Sequence, residues 1–202
     1  MNYTDEQLIQ RFVESIPSKP ANTKQLFAIG FVGLVGSGKS YIAQKISKKL
    51  DLYIASNDKI RRFLNELGFA GDSPIQETLQ KIAESSSCYL YKNKISHILD
   101  ADLIKFHDVA IKNAQEFGAR IYIIHVVCPE EIILKRLENR SHEVQKDNSK
   151  NLSRADKETY FERKELHSTL ALPEFFNTLD SSQNVDMQIE NLILKLKTEN
   201  VI

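Results

Sequence analysis

Gly33-Leu34-Val35-Gly36-Ser37-Gly38-Lys39-Ser40 fits the pattern G-x-x-x-x-G-K-[ST], and its residue types answer the demands of phosphate binding. A triphosphate carries several negative charges that donors must approach without bulky side chains in between. Gly33, Gly36 and Gly38, with the small Ser37 among them, let the backbone curl so that its N–H groups point inward. The helix that follows adds the positive end of its dipole. The ammonium of Lys39 can reach the β- and γ-phosphates, and the hydroxyl of Ser40 can ligate Mg²⁺. The loop therefore predicts ATP, with GTP as the alternative nucleotide, and Mg²⁺ as its companion.

Further candidates stand where predicted strands end, since ligands of a parallel sheet bind at the carboxyl ends of its strands. Leu52–Ser56 reads as a strand ending in Ser56-Asn57-Asp58, followed by Lys59, Arg61 and Arg62. Asp58 there can accept the proton of an attacking hydroxyl while Arg61 and Arg62 hold the acceptor; alternatively it caps a helix starting at Lys59 and the arginines are solvated. His97–Asp100 reads as a short strand ending in the carboxylate expected on the Mg²⁺ side, with Asp102 less suited to that role. Arg136 and Arg140 share a helix face just before the polar run 141–152, and Arg154 lies beyond it. Arginines flanking such a loop suit a lid that closes over phosphates. His125, inside an apolar strand, reads as a core residue. His107, His142 and His167 have no evident partner in the sequence.

The elements that must position these residues follow from periodicity. Leu26–Val32 is an apolar run before the glycine-rich loop, and Ile42, Ala43, Ile46 and Leu50 recur after it at helical spacing. Thr4 to Gln7 fits a capping box ahead of a helix that Pro17 and Pro20 end, packed outside the core sheet. Ser73-Pro74 opens a helix reaching about Lys94, Leu103–Phe117 is a helix closed by Gly118, and Pro129 opens another. Ile121–Val127 is the clearest strand. Ser153 to Asp156 restarts a helix, Phe175–Leu179 reads as a fifth strand, and Ile189, Leu192, Ile193 and Leu196 mark a last helix. Strands alternating with helices imply a parallel sheet covered on both faces.

Composition narrows the partners. The 202 residues carry 27 basic and 27 acidic side chains, so no strongly basic nucleic-acid footprint exists, though Lys59, Arg61 and Arg62 keep a nucleic-acid acceptor open. Cys88 and Cys128 lack metal-ligand spacing and read as reduced thiols of a cytoplasmic protein. The first ten residues do not resemble a signal peptide, and no apolar run approaches the ~20 residues of a membrane span.

The order of motifs resembles the P-loop predicted-kinase family grouped with zeta toxins, chloramphenicol phosphotransferase, gluconate kinase and the kinase domain of bacteriophage polynucleotide kinase. The residues that carry it are GLVGSGKS at 33–40, SNDKIR at 56–61, ILDAD at 98–102, VVCPEEIILKRLENR at 126–140 and SRAD at 153–156. The resemblance implies a five-stranded parallel sheet of the nucleotide-kinase type with helices on both faces and a lid at about 141–152. The matching motifs cover roughly residues 26–180, and the chain divides into an N-terminal helix within 1–20, packed on the core, and a kinase domain over 21–202. The resemblance also implies phosphoryl transfer to a hydroxyl, with Asp58 engaging that hydroxyl, Arg61 on the acceptor side, and Arg136 and Arg140 in the lid. A small-molecule acceptor is the leading expectation; a polynucleotide 5′-hydroxyl, or nucleotide binding as a switch without transfer, are the alternatives. Asp102 departs from the small or amide residue usual there, and 76–96 matches no known pattern.

Overall fold

The computed structural model describes residues 3–16, 23–69, 73–146 and 156–202. Five strands form one parallel sheet in the order β2-β3-β1-β4-β5: β1 Phe27–Val32, β2 Tyr53–Ser56, β3 His97–Asp102, β4 Arg120–Val127 and β5 Asn177–Asp180. Every residue of β1 is buried, as expected of a central parallel strand covered on both faces. Its side chains alternate between two cores. Phe27, Ile29 and Phe31 face α2 (Lys39–Leu50) and α8 (Val185–Thr198), packing with Ile42, Ile46, Ile189 and Leu192. Ala28 and Val32 face the other way, toward α4 (Ser73–Lys92) and α5 (His107–Glu116).

The N-terminal helix α1 (Asp5–Glu14) starts at Thr4, and its capping box is complete: the Thr4 hydroxyl accepts from the Gln7 N–H while the Gln7 side chain accepts from the Thr4 N–H. Leu8, Phe12 and Ile16 pack with α3 (Asn57–Glu66) and α4 in a core of their own, away from β1. Phe12 meets the edge of Phe63 at 5.3 Å between centroids. Asp5 accepts from Thr78 and Lys81, which holds its carboxyl below the ordinary value.

Four elements differ from the sequence expectations. β3 runs through Asp102 rather than stopping at Asp100, because Asp102 pairs with Phe31 and the Leu103 N–H still donates to the Phe31 carbonyl. The following helix therefore begins at His107, not Leu103, and Leu103 and Ile104 fill a core instead. β5 is displaced to 177–180, with Phe175 stacked on His125. α6 (Glu130–Lys146) continues six residues into the stretch expected to be a loop, where neither Gly nor Pro interrupts it. α7 spans Lys157–Thr169. The remainder of the expected lid (147–152), Arg154 and the helix restart at Ser153, and Pro17 and Pro20 lie outside the described residues. Among the described residues no helix is long and apolar enough to cross a membrane.

If α1 is integral to the fold, Leu8→Ala, which empties a site 1 % exposed, should cost about 2–5 kcal/mol. Urea unfolding followed by circular dichroism measures this. An unchanged midpoint would mean that α1 docks without contributing to the cooperative unit.

Candidate active site

The phosphate-binding loop leaves β1 between β3 and β4, where the chain's crossovers diverge. Its shape depends on two glycines in different ways. A Cβ on Gly33 would stand 2.5 Å from the Val126 carbonyl oxygen, so β4 is approached too closely for any side chain. Gly38, at φ 101°, is the N-cap of α2 and turns the chain into the helix. Ser37 is 1 % exposed, and its hydroxyl has no hydrogen-bond partner among the described residues. Lys39 Nζ donates to the carbonyls of Gly33 (2.6 Å) and Leu34 (3.0 Å), two of its three N–H groups. Burial pulls the Lys39 pKa down; the charges of Asp102 and Asp100 oppose that, and Arg163 adds to it.

The carboxylates arrive from β3. Ser40 Oγ donates to Asp100 Oδ1 at 3.0 Å, joining α2 to the strand end. Desolvation raises the Asp100 pKa, against the Ser40 hydrogen bond, and the charge of Asp58 raises it further. A hydroxyl beside a desolvated carboxylate is an oxygen donor set suited to a hard cation that keeps other ligands from phosphate and water. Among the described residues no cluster of three or more His, Cys, Asp or Glu could hold a metal by itself.

Ser56, not Asp58, caps α3: its hydroxyl accepts from the Lys59 N–H at 3.2 Å. The alternative role for Asp58, a helix cap, is thereby taken by another residue. Asp58 Oδ1 instead accepts from Arg61 Nη1 at 2.7 Å, in a half-exposed pair. Lys59 folds back onto the edge strand, donating to the Ile54 carbonyl at 2.7 Å and lying 4.3 Å from the centre of the Tyr53 ring. Arg62 is exposed.

Arg136 is drawn into the wall of the cleft. Its Nη1 donates to Ser181 Oγ at 2.8 Å and more weakly to the Gly36 carbonyl and Cys128 Sγ, both at 3.5 Å, and its Nη2 donates to the Ser181 carbonyl at 3.0 Å. Arg140, one turn on, is half-buried. Arg136, Gly36, Gly38, Tyr41 and Ser181 line a cavity of about 580 Å³ beside the loop, together with Gln183 and Asn184 from the turn after β5.

Contributors that spacing does not reveal are Ser181, Arg163 and the pair Asp102–His167. His167 Nε2 lies 2.7 Å from Asp102 Oδ2, and Asp102 Oδ1 accepts from the Gly33 N–H at 3.4 Å. His167 thus has a partner after all, and α7 is linked to the phosphate-binding loop through Asp102. The strand-end rule, applied to β5, points to Ser181; nothing in the sequence points to His167 or Arg163. His125 is half-buried and stacked on Phe175, and burial, then His167, lowers its pKa.

Comparison with known proteins identifies the family and the fold. The sequence matches the AAA domain family over residues 29–163. The chain belongs to that family. Its members share the P-loop, kinase-like character read above, and the family's core covers every element from β1 into α7. No curated protein matches the sequence. Among solved structures, APS kinase CysC of Mycobacterium tuberculosis, in complex with AMPPNP and APS, is 18 % identical and superposes with a TM-score of 0.56 over 89 % of this chain and 99 % of that one. A kinase candidate from Chloroflexus aurantiacus gives 14 %, 0.62, 86 % and 100 %, and a gluconokinase from Sinorhizobium meliloti 12 %, 0.54, 88 % and 95 %. At these identities the likeness establishes the fold, which is that of the P-loop kinases.

The raised Asp100 pKa has a consequence for stability. A carboxyl raised in the folded state contributes stability while protonated, and that contribution is lost as pH rises through the folded value. Above about pH 4, charged Asp100 therefore works against the ligand-free fold. Asp100→Asn, which can still accept from Ser40, should raise the thermal midpoint at neutral pH and flatten its decline with pH. It should also raise the Mg²⁺ concentration needed for half-maximal ATP affinity. An unchanged midpoint and unchanged Mg²⁺ requirement would make Asp100 an ordinary turn residue.

Proposed function

We propose that the chain is an ATP-dependent phosphotransferase that moves the γ-phosphate to a hydroxyl of a small-molecule acceptor. The observation that carries this reading is the convergence, at the carboxyl ends of β1, β2 and β3, of Lys39, the Ser40–Asp100 pair and the Asp58–Arg61 pair. Asp58 is near enough to Asp100 for its charge to shift the other carboxyl. In this reading the acceptor side and the phosphate side of the reaction face one cleft.

In this reading the amides of 33–40 turn to phosphate oxygens, and the ammonium of Lys39 exchanges the carbonyls of Gly33 and Leu34 for β- and γ-phosphate oxygens. The orphaned Ser37 hydroxyl supplies one more donor to the loop. Tyr41, Gln183 and Asn184 offer walls for base and ribose in the 580 Å³ cavity. Ser40 and Asp100 would hold Mg²⁺, which would supply charge neutralisation at the phosphates when bound. Arg61 fixes the direction of the Asp58 carboxylate. The acceptor oxygen forms a bond to the γ-phosphorus as the β–γ bridging oxygen leaves with ADP, and the acceptor proton passes to Asp58. Arg136, Arg140 and, from α7, Arg163 add fixed positive charge along the cleft.

Of the cations that left a polynucleotide acceptor open, Lys59 and Arg61 already have partners, and Arg62 is exposed. A small molecule is thus the favoured acceptor. The two free cysteines suit a reducing, cytoplasmic setting.

Asp58→Asn tests the assignment. ADP release stimulated by a panel of neutral and anionic alcohols should fall by ~10²–10⁴-fold, the usual effect of losing a general base. ATP affinity should stay within a few-fold, and the thermal midpoint should hold because Ser56 supplies the cap. Stimulated release that survives in Asp58→Asn, or ATP turnover that no alcohol stimulates in the parent, would favour a nucleotide-binding switch.

A further inference from the structure

We propose that His167 is a positioning residue of the phosphoryl-transfer site: through its contact with Asp102 it aims Arg163, one turn earlier on α7, at the phosphoryl group in transit beside Lys39. This rests on the phosphotransferase reading and adds the residues that orient one of its cations.

The helix α7 turns one face to the phosphate-binding loop. Tyr160, Arg163 and His167 follow one another at steps of three and four, so they stand in one row along the helix. Tyr160 is buried and packs with Ile133 and Leu137 of α6 and with Leu34 and Val35 of the loop itself. His167 Nε2 meets Asp102 Oδ2 at the end of β3. Arg163 lies between these two anchors, held one turn before and one turn after.

The anchors are of different kinds. Tyr160 and Lys164 donate to Glu130, and Lys157 lies 3.6 Å from Glu138, so these ties run from α7 to α6. Among the described residues His167 is the one side chain of α7 that hydrogen-bonds a strand of the sheet. Its side chain is 13 % exposed and that of Asp102 23 %, so little water competes for the contact.

Asp102 passes that contact on. Its Oδ1 accepts from the N–H of Gly33 and from the N–H of Ile104, both at 3.4 Å, which leaves Oδ2 to His167. One carboxylate thus joins the first residue of the loop, the chain leaving β3 and the far end of α7. A helix tied there, and packed on Leu34 and Val35 through Tyr160, keeps its place relative to the bound phosphates.

Arg163 is the side chain that such aiming serves. It is exposed, and among the described residues no carboxylate or carbonyl pairs with it. Its charge reaches Lys39 and disfavours the ammonium there. Two cations that repel each other in the ligand-free site both gain when phosphate oxygens arrive, and the planar fork of an arginine suits charge spread over several oxygens.

The test uses the full chain and needs no acceptor. Calorimetry compares ADP with Mg²⁺ and aluminium fluoride, which copies the planar phosphoryl group in transit, with AMPPNP, which copies the ground state. His167→Phe keeps a ring without the donor, His167→Ala removes both, and His167→Gln restores an N–H near the place of Nε2. In the parent, aluminium fluoride should tighten ADP binding. His167→Phe and His167→Ala should each lose at least about tenfold of that gain, toward the ~10²-fold that a misplaced group can cost. AMPPNP affinity should stay within about threefold, and His167→Gln should stay near the parent. Arg163→Ala should show the same loss, and adding His167→Ala to it should cost nothing more. Thermal midpoints separate lost aim from lost folding. The proposal is overturned by an unchanged gain in both His167→Phe and His167→Ala, by a loss that AMPPNP shares equally, or by a loss in His167→Gln as large as in His167→Phe. It is overturned too if the losses of Arg163→Ala and His167→Ala simply add, because His167 would then act without Arg163. The phosphotransferase reading fails elsewhere: if aluminium fluoride adds nothing to ADP binding in the parent, the cleft does not hold a phosphoryl group in transit, and both readings fall.

Discussion

The close approach of Gly33 to the Val126 carbonyl is the constraint to which the rest of the cleft is referred. It fixes where the phosphate-binding loop leaves the sheet, and it is possible only because β1 is buried on both faces between β3 and β4. With that strand at the centre, the loop opens above the sheet and the helix that follows points its N-terminus into the cleft. β3 on one side delivers Asp100 to Ser40 and Asp102 to the Gly33 amide. β4 and α6 on the other side bring Arg136 against Gly36.

Electrostatics in this cleft is a balance rather than a sum of pairs. Lys39 is half-buried, and removing an ammonium from water costs several kcal/mol. Two carbonyls and the nearby charges of Asp100 and Asp102 offset that cost. Asp100 is itself desolvated and repelled by Asp58, which is paired with Arg61, so Asp100 stands in partly unfavourable surroundings. Phosphate oxygens and a divalent ion are the complement such a site lacks, which is the usual relation between stored electrostatic cost and ligand binding. The Asp102–His167 contact then carries the position of the loop to α7, so the helix that bears Arg163 is tied to the nucleotide side of the cleft.

The two cavities differ in lining. The larger, beside the loop, is walled by Arg136, Ser181 and amides, which suits a charged and polar nucleotide. The smaller, under β2 and β3, is lined mainly by aliphatic and aromatic side chains, with Ser, Asn, Gln and one Glu among them. The N-terminal helix, outside the matched residues 29–163, lines this second cavity through Phe12 and packs onto α3 and α4.

What the sequence determined by itself was whatever depends on contiguous residues. The phosphate-binding loop is legible because its donors are backbone groups of one short segment, and the capping box at Thr4 because its two hydrogen bonds span three residues. Asp58 and Asp100 were found by a rule about strand ends, which needs only the strands' positions. The tertiary structure alone decided what crosses long separations. Ser40 meets Asp100 and Asp102 meets His167 because the strand order is β2-β3-β1-β4-β5 and because β3 pairs through Asp102. That same pairing moved the start of α5 to His107, against a helical periodicity that begins at Leu103. Arg136 reads in sequence as a lid residue, yet the turn after β5 engages it. Tyr91 reads as one more core aromatic, since an apolar ring at helical spacing does not disclose whether its hydroxyl will find a partner. The reason is common to all of these. Local propensity fixes the conformation of a segment, but which side chains meet, and which buried polar atom is left alone, depends on register and packing between segments that the chain's order does not bring together.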